Sequence, residues 1–198
     1  MQRVTRNAAI PSVAATAAGA VFAVSLATAA TPARAVDGVT IEAGRSISSY
    51  TDIPVARVGL RWDWSARPFS AGGWYLGGYW DLAAGYWRNE SDARIRTSND
   101  LVEASLTPTL RWQPEGNPAF HPFIDAGVGL HALSGDSITT LRDLSGHLLF
   151  GSVLGVGLRL GAKGEYEIGY RVQHLSNGGL RQPNSGINLQ SLRLHYHF

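Results

Sequence analysis

His174 and Ser176 stand two residues apart near the C-terminus, in the stretch His174-Leu175-Ser176-Asn177-Gly178-Gly179-Leu180. On an extended strand, residues i and i+2 share a face, with Cα atoms about 6.6 Å apart. An imidazole and a hydroxyl at that spacing can come within hydrogen-bond distance, and together they can carry out acyl transfer. The hydroxyl attacks a carbonyl carbon while the imidazole takes its proton, which is the core of serine esterase chemistry. A His-x-Ser pair beside a loop is also ordinary rim polarity, so the pair gains meaning only from its setting. Counting back in steps of two from Phe198 through Tyr196, Leu194 and Leu192 leads to Gln190 and Asn188. If the two segments pair, Asn188 falls on the same face as His174.

The setting is a chain with a period of two. Val58, Leu60, Trp62 and Trp64 alternate with Arg57, Gly59, Arg61 and Asp63. Ala104, Leu106, Pro108, Leu110 and Trp112 alternate with Glu103, Ser105, Thr107, Thr109 and Arg111. Leu148, Phe150, Leu154, Val156, Leu158 and Leu160 oppose Gly151, Gly155, Gly157 and Arg159. Such alternation reads as β-strand with one face in an apolar medium. Eight strands are predicted, at about 38–48, 54–65, 73–88, 101–113, 119–134, 146–161, 163–176 and 187–198. Each is long enough to cross a bilayer at a tilt. Connections at 114–118 and 161–164 are tight, whereas those at 89–100, 135–145 and 177–186 are longer and polar. The fold expected is all-β: an eight-stranded antiparallel transmembrane β-barrel with both termini periplasmic. The connections 49–53 and 66–72 fit the alternation of short and long poorly.

The two faces differ in kind. One carries Trp62, Trp64, Trp74, Trp80, Tyr86, Trp112 and Tyr196, as the aromatic girdle of a membrane barrel does. The other carries glycines with Arg57, Arg61, Asp63, Asp81, Glu103, Arg111, Asp125 and Arg159. An eight-stranded barrel has an interior that side chains just fill, so these charges are expected to pair inside it and to leave no water channel. A soluble lipocalin-like barrel would reverse the pattern, with large apolar residues inside. In the seventh strand Tyr166, Ile168, Tyr170 and Val172 occupy the lipid-facing phase, and the next positions in that phase are His174 and Ser176. Polar groups facing lipid are costly, which makes them functional candidates.

The first residues are a separate matter. Arg3 and Arg6 precede a small, apolar stretch that ends at Ala33-Arg34-Ala35, and no acidic residue occurs before Asp37. This is the pattern of a signal peptide spanning 1–35, cleaved after Ala35, with the barrel domain at 36–198. The full chain has 17 basic and 15 acidic residues. Without Arg3, Arg6 and Arg34 the mature chain is near −1. A single lysine, Lys163, and the lack of a basic run argue against nucleic acid. The absence of cysteine excludes disulfides and thiolate metal sites. His131, His147, His195 and His197 form no ligand spacing, so neither metal nor cofactor is expected. His195 and His197 are expected inside the barrel.

The segment from His174 to Leu180, followed by Pro183-Asn184-Ser185-Gly186-Ile187, resembles the lipid A 3-O-deacylase (PagL) family. That family consists of eight-stranded outer-membrane barrels with a His-x-Ser-Asn motif near the C-terminus. The specific match is confined to 174–187, and the rest of the chain agrees in architecture. The resemblance implies an outer-membrane esterase whose substrate is the lipid A of lipopolysaccharide, with Ser176 as nucleophile and His174 as its base. The family's oxyanion region maps onto Asn184 and the backbone around Asn177 and Gly179. Asn188 is a departure, because the family places there a glutamate that orients the histidine. Asparagine can hold an imidazole in one tautomer but cannot stabilise an imidazolium by charge. No Asp or Glu follows Glu167, so a substitute carboxylate must come from a loop, with Asp136 and Asp143 as candidates. The competing class is a non-catalytic structural or adhesion barrel that binds through the 89–100 and 135–145 loops. A transacylase or phospholipase using the same pair is a third reading.

Overall fold

Alternate burial along each strand follows the two-residue period of the sequence. The computed structural model describes residues 35–48, 51–94, 100–116, 120–140 and 142–198. The expected signal peptide, apart from Ala35, lies outside them. The strands are β1 (Gly38–Ser46), β2 (Pro54–Asp63), β3 (Phe69–Ala71), β4 (Trp74–Trp87), β5 (Leu101–Pro114), β6 (His121–Leu133), β7 (Ser137–Thr139), β8 (Arg142–Asp143), β9 (Leu148–Leu160), β10 (Tyr166–Ser176) and β11 (Ile187–His197). Eight of them form a closed antiparallel ring in the order β1-β2-β4-β5-β6-β9-β10-β11, with β11 returning to β1. At about 3.3 Å per residue and a tilt near 45°, strands such as β4 and β10 cover roughly 25–33 Å, the thickness of a hydrocarbon core.

A remaining strand explains one of the two awkward connections. β3 pairs with the start of β4, so the 66–72 connection is a hairpin extension of the wall, turned by Gly72 and Gly73 at positive φ. The 49–53 connection is simply short. β7 and β8 form a small hairpin inside the 134–147 loop. The loops after β1, β4, β6 and β10 share one rim, here called the site rim. The turns after β2, β5 and β9 share the other. Phe198 N–H donates to the Asp37 carbonyl at 3.0 Å, so the two ends of the barrel domain meet at this turn rim.

Inside, every charge expected to pair does so. Arg57 bridges Glu42 at 2.6 Å and Glu103 at 2.8 Å. Arg111 bridges Asp125 at 2.7 Å and Glu167 at 2.6 Å. Glu167 also receives Arg61 at 2.9 Å and Arg159 at 2.8 Å. Arg193 holds Asp81. His195 is buried and stacks edge-on with His197 at 4.3 Å, and His197 contacts Glu167 at 2.8 Å. Glu165 lies before β10 and accepts the Lys163 N–H at 2.9 Å, folded back on its own turn.

Outside, Trp74 and Phe69 stack on Trp112 at 6.2 and 5.7 Å. Tyr166, Tyr196 and Phe198 form a second aromatic group at the turn rim. Aliphatic residues such as Val58, Val128, Leu154 and Leu192 are the exposed belt between the rims. At the site rim the lumen closes on an apolar plug that includes Ile53, Trp87, Ile138, Leu144, Leu175 and Ile187. The barrel is therefore filled by ions below and capped by hydrocarbon above.

Candidate active site

β10 presents His174 and Ser176 outward because their neighbours Gln173 and Leu175 are buried in the lumen. Antiparallel pairing with β11 sets Asn188 directly opposite His174. Asn188 Oδ1 lies 2.7 Å from His174 Nδ1. An amide oxygen only accepts, so Nδ1 is the donor, and in the neutral ring the lone pair falls on Nε2. That is the tautomer a general base requires. The Ser176 hydroxyl is half-buried on the same face, and no hydrogen bond joins it to His174 in this structure. The two side chains are adjacent on one strand face, and rotation about χ1 sets their separation. Catalytic hydrogen bonds commonly close only with substrate present.

Neither loop carboxylate substitutes for the missing glutamate. Asp143 turns its carboxylate to the Ser145 N–H at 2.7 Å and hydroxyl at 3.2 Å. Asp136 contributes its main-chain carbonyl, which accepts the Leu144 N–H. Asn188 is thus the group that orients the imidazole.

The loop after Ser176 is wound around Asn177, which is 3% exposed. Asn177 Nδ2 donates to the carbonyls of Leu144 at 3.1 Å and Arg181 at 3.0 Å. Its Oδ1 accepts the Gly179 N–H at 2.9 Å, and its own N–H donates to Asn184 Oδ1 at 3.1 Å. The N–H groups of Asn177 and Gly179, expected to face an oxyanion, are therefore engaged within the loop. Among the described residues, the Gly178 N–H and the Asn184 Nδ2 group remain without acceptors. Both stand on the loop that begins at Ser176. Consecutive positive φ values at Gly178 and Gly179, 67° and 80°, make the tight winding possible.

Three further residues belong to the site and were not singled out from sequence. Ser152 of β9 is outward and directly opposite His174. Phe150 stands beside Ser176. Gly186 packs its backbone on the imidazole, so that a Cβ there would lie 3.1 Å from His174 Cε1. The β9–β10 partners could have been found from the turn 161–164: a tight hairpin centred on Lys163 pairs 174 with 152 by counting outward. His174, Asn188 and Ser152 also line a depression of about 370 Å³ on the outer wall, with Ile47, Leu154 and Val172 as its apolar part.

The model of the lipid A 3-O-deacylase (PagL) family matches residues 55–197, which takes in seven barrel strands and the whole site. The chain belongs to this family. A lipid A deacylase PagL of Pseudomonas aeruginosa is 35% identical over 136 residues, covering 69% of this chain and 73% of that protein. A lipid A deacylase PagL of Bordetella bronchiseptica is 30% identical over 130 residues, covering 62% and 67%. The crystal structure of the outer membrane enzyme PagL superposes with a TM-score of 0.69 at 30% identity, covering 81% of this chain and 99% of that one. Family membership and the apolar belt together make this an outer-membrane barrel.

Proposed function

We propose that the chain is an esterase that removes the 3-O-linked acyl chain of lipid A at the outer wall of its barrel. The observation that carries this reading is the outward His174, held by Asn188 with its basic nitrogen free and Ser176 two residues along the same face. Ser176 Oγ attacks the acyl carbonyl, and His174 Nε2 takes the hydroxyl proton. The tetrahedral oxyanion is stabilised by N–H donors of the site loop, for which Gly178 and the Asn184 amide are the available groups. Collapse breaks the bond to the sugar, and His174 returns the proton to the departing 3-hydroxyl oxygen. Water, deprotonated by the same imidazole, then releases the fatty acid from Ser176.

A lipid-facing site suits this substrate. The ester of a membrane-resident lipid lies at the level of the rim, and the substrate arrives by lateral diffusion without entering the lumen. The same reading sets the site rim at the outer surface, places both termini in the periplasm, and has residues 1–35 removed on export. It requires no metal or cofactor.

The test is mass spectrometry of lipid A from cells expressing the protein. Wild type should yield lipid A lighter by one hydroxyacyl chain, while Ser176→Ala and His174→Ala should each leave lipid A whole with the barrel still folded. Full activity in either variant would eliminate the mechanism.

A further inference from the structure

Resting on that reading of the site, a second contact with the substrate follows from how arginines are paired at the site rim. Arg45 is held by both oxygens of Asp52 at 2.7 Å. Arg88 pairs with Glu90 at 3.1 Å. Arg181, on the site loop itself, is exposed and has no carboxylate within salt-bridge distance among the described residues. Arg94 also lacks one, but it lies in the β4–β5 connection, on the opposite side of the ring from β10 and β11. No acidic residue follows Glu167, and Asp143, whose main chain holds Ser185, spends its carboxylate on Ser145. Arg181 is thus the formal charge of the 177–186 loop, and nothing in that loop neutralises it.

The backbone under this charge is fixed. The Arg181 carbonyl accepts Asn177 Nδ2 at 3.0 Å, and the Leu180 N–H reaches the Asn177 carbonyl at 3.3 Å. A cation is therefore mounted on an anchored turn five residues beyond the nucleophile, at the tip of the loop that rises from it. Its neighbour Leu180 is 75% exposed. A bare leucine beside a bare guanidinium is a poor surface for water alone and a good one for an anionic lipid. The leucine meets hydrocarbon, and the guanidinium's planar fork matches phosphate oxygens.

We propose that Arg181 binds a phosphate monoester on the glucosamine backbone of lipid A, with Leu180 lying among its acyl chains, so that the sugar is held with its 3-ester over Ser176. Arg181 contacts substrate at a distance from the reacting atoms, so it sets affinity and orientation and takes no part in proton transfer.

The test uses the full-length protein in detergent with two substrates, bisphosphorylated lipid A and the same lipid A stripped of its phosphates. Wild type should prefer the phosphorylated form. Arg181→Gln should lower kcat/KM on that form by about tenfold or more through KM, the scale of a lost charge-assisted pair, and leave the rate on the stripped form unchanged. Arg181→Lys should recover part of the preference. Equal loss on both substrates would assign Arg181 a role in loop structure, and no loss on either would remove the contact altogether. Both results overturn the proposal. Failure of the wild type to release fatty acid from either substrate would instead sink the esterase reading on which it rests.

Discussion

Replacing Asn188 by glutamate should make the enzyme faster. Asn188 Oδ1 accepts the Nδ1 proton of His174 at 2.7 Å, so the correct tautomer is already set, and what the amide lacks is charge. In the proposed mechanism His174 becomes a cation when it takes the serine proton, and only then does a carboxylate outperform an amide. A hydrogen bond to a neutral partner is worth about 0.5–1.5 kcal/mol net, and one between charged groups about 1.5–3 kcal/mol. The gross Coulomb attraction of two unit charges about 4 Å apart at an effective dielectric near 20 is about 4 kcal/mol, but a new carboxylate on the barrel wall loses much of that to its own desolvation. The surplus in the transition state is therefore about 1–1.5 kcal/mol, or roughly tenfold in kcat. Asn188→Leu removes the acceptor, frees the ring to rotate or change tautomer, and should lower kcat about ten- to hundredfold with little change in KM. Fatty-acid release from purified lipopolysaccharide, timed by mass spectrometry, measures both, and electrophoretic mobility before and after heating confirms the barrel. A folded Asn188→Glu protein at a tenth of wild-type activity or less would refute the reasoning, because it would give the amide a role that a carboxylate cannot fill. Wild-type kcat in Asn188→Leu would refute it from the other side.

Asn177→Ala removes the bonds to Leu144, Arg181 and Gly179 that wind the site loop. Activity should fall tenfold or more while the urea midpoint of the barrel barely moves, because the loop lies outside the strand ladder. Gly186→Ala places a methyl group 3.1 Å from His174 Cε1 at a φ of 54°; kcat should drop severalfold, with the fold retained. Glu167→Gln breaks a buried hub that receives Arg61, Arg111, Arg159 and His197. It should cost about 3–5 kcal/mol of stability in denaturant, while the folded fraction keeps its specific activity because the site is at the other rim.

The strands were legible because parity is a strong signal: an outward Leu154 and an inward Gly155 cannot exchange faces without burying the wrong group. The pair at His174 and Ser176 was legible for the same reason, as was Asn188, since Phe198 fixes the phase of β11. The apolar plug was not legible. Ile53, Ile138 and Leu144 sit in connections, where no period exists to mark them, and Trp87 ends its strand on the inward phase. The loop donors were legible only as a region. Motif positions name Asn184 and the backbone around Asn177 and Gly179, but the direction of a backbone N–H depends on how the loop is wound, and here side-chain amide oxygens accept the N–H groups of Asn177 and Gly179. Ser152 was within reach of counting from the Lys163 turn, whereas the 174–188 pairing, across a ten-residue loop, offers no such centre.

The contrast between the two faces bears on why the proposed chemistry is outside. Inside, arginines and carboxylates interlock from Arg57 to Arg193, and the plug of Trp87, Ile138 and Leu144 closes the site rim, so no acyl chain can be admitted without dismantling buried ion pairs. That rigidity serves the outer wall: Leu175, locked in the plug between His174 and Ser176, fixes the strand on which both stand. Asn177 extends the same support to the loop through the Leu144 carbonyl. The plug is thus the floor of the active site as well as the stopper of the barrel, and a residue that never faces lipid sets the direction of the two that must.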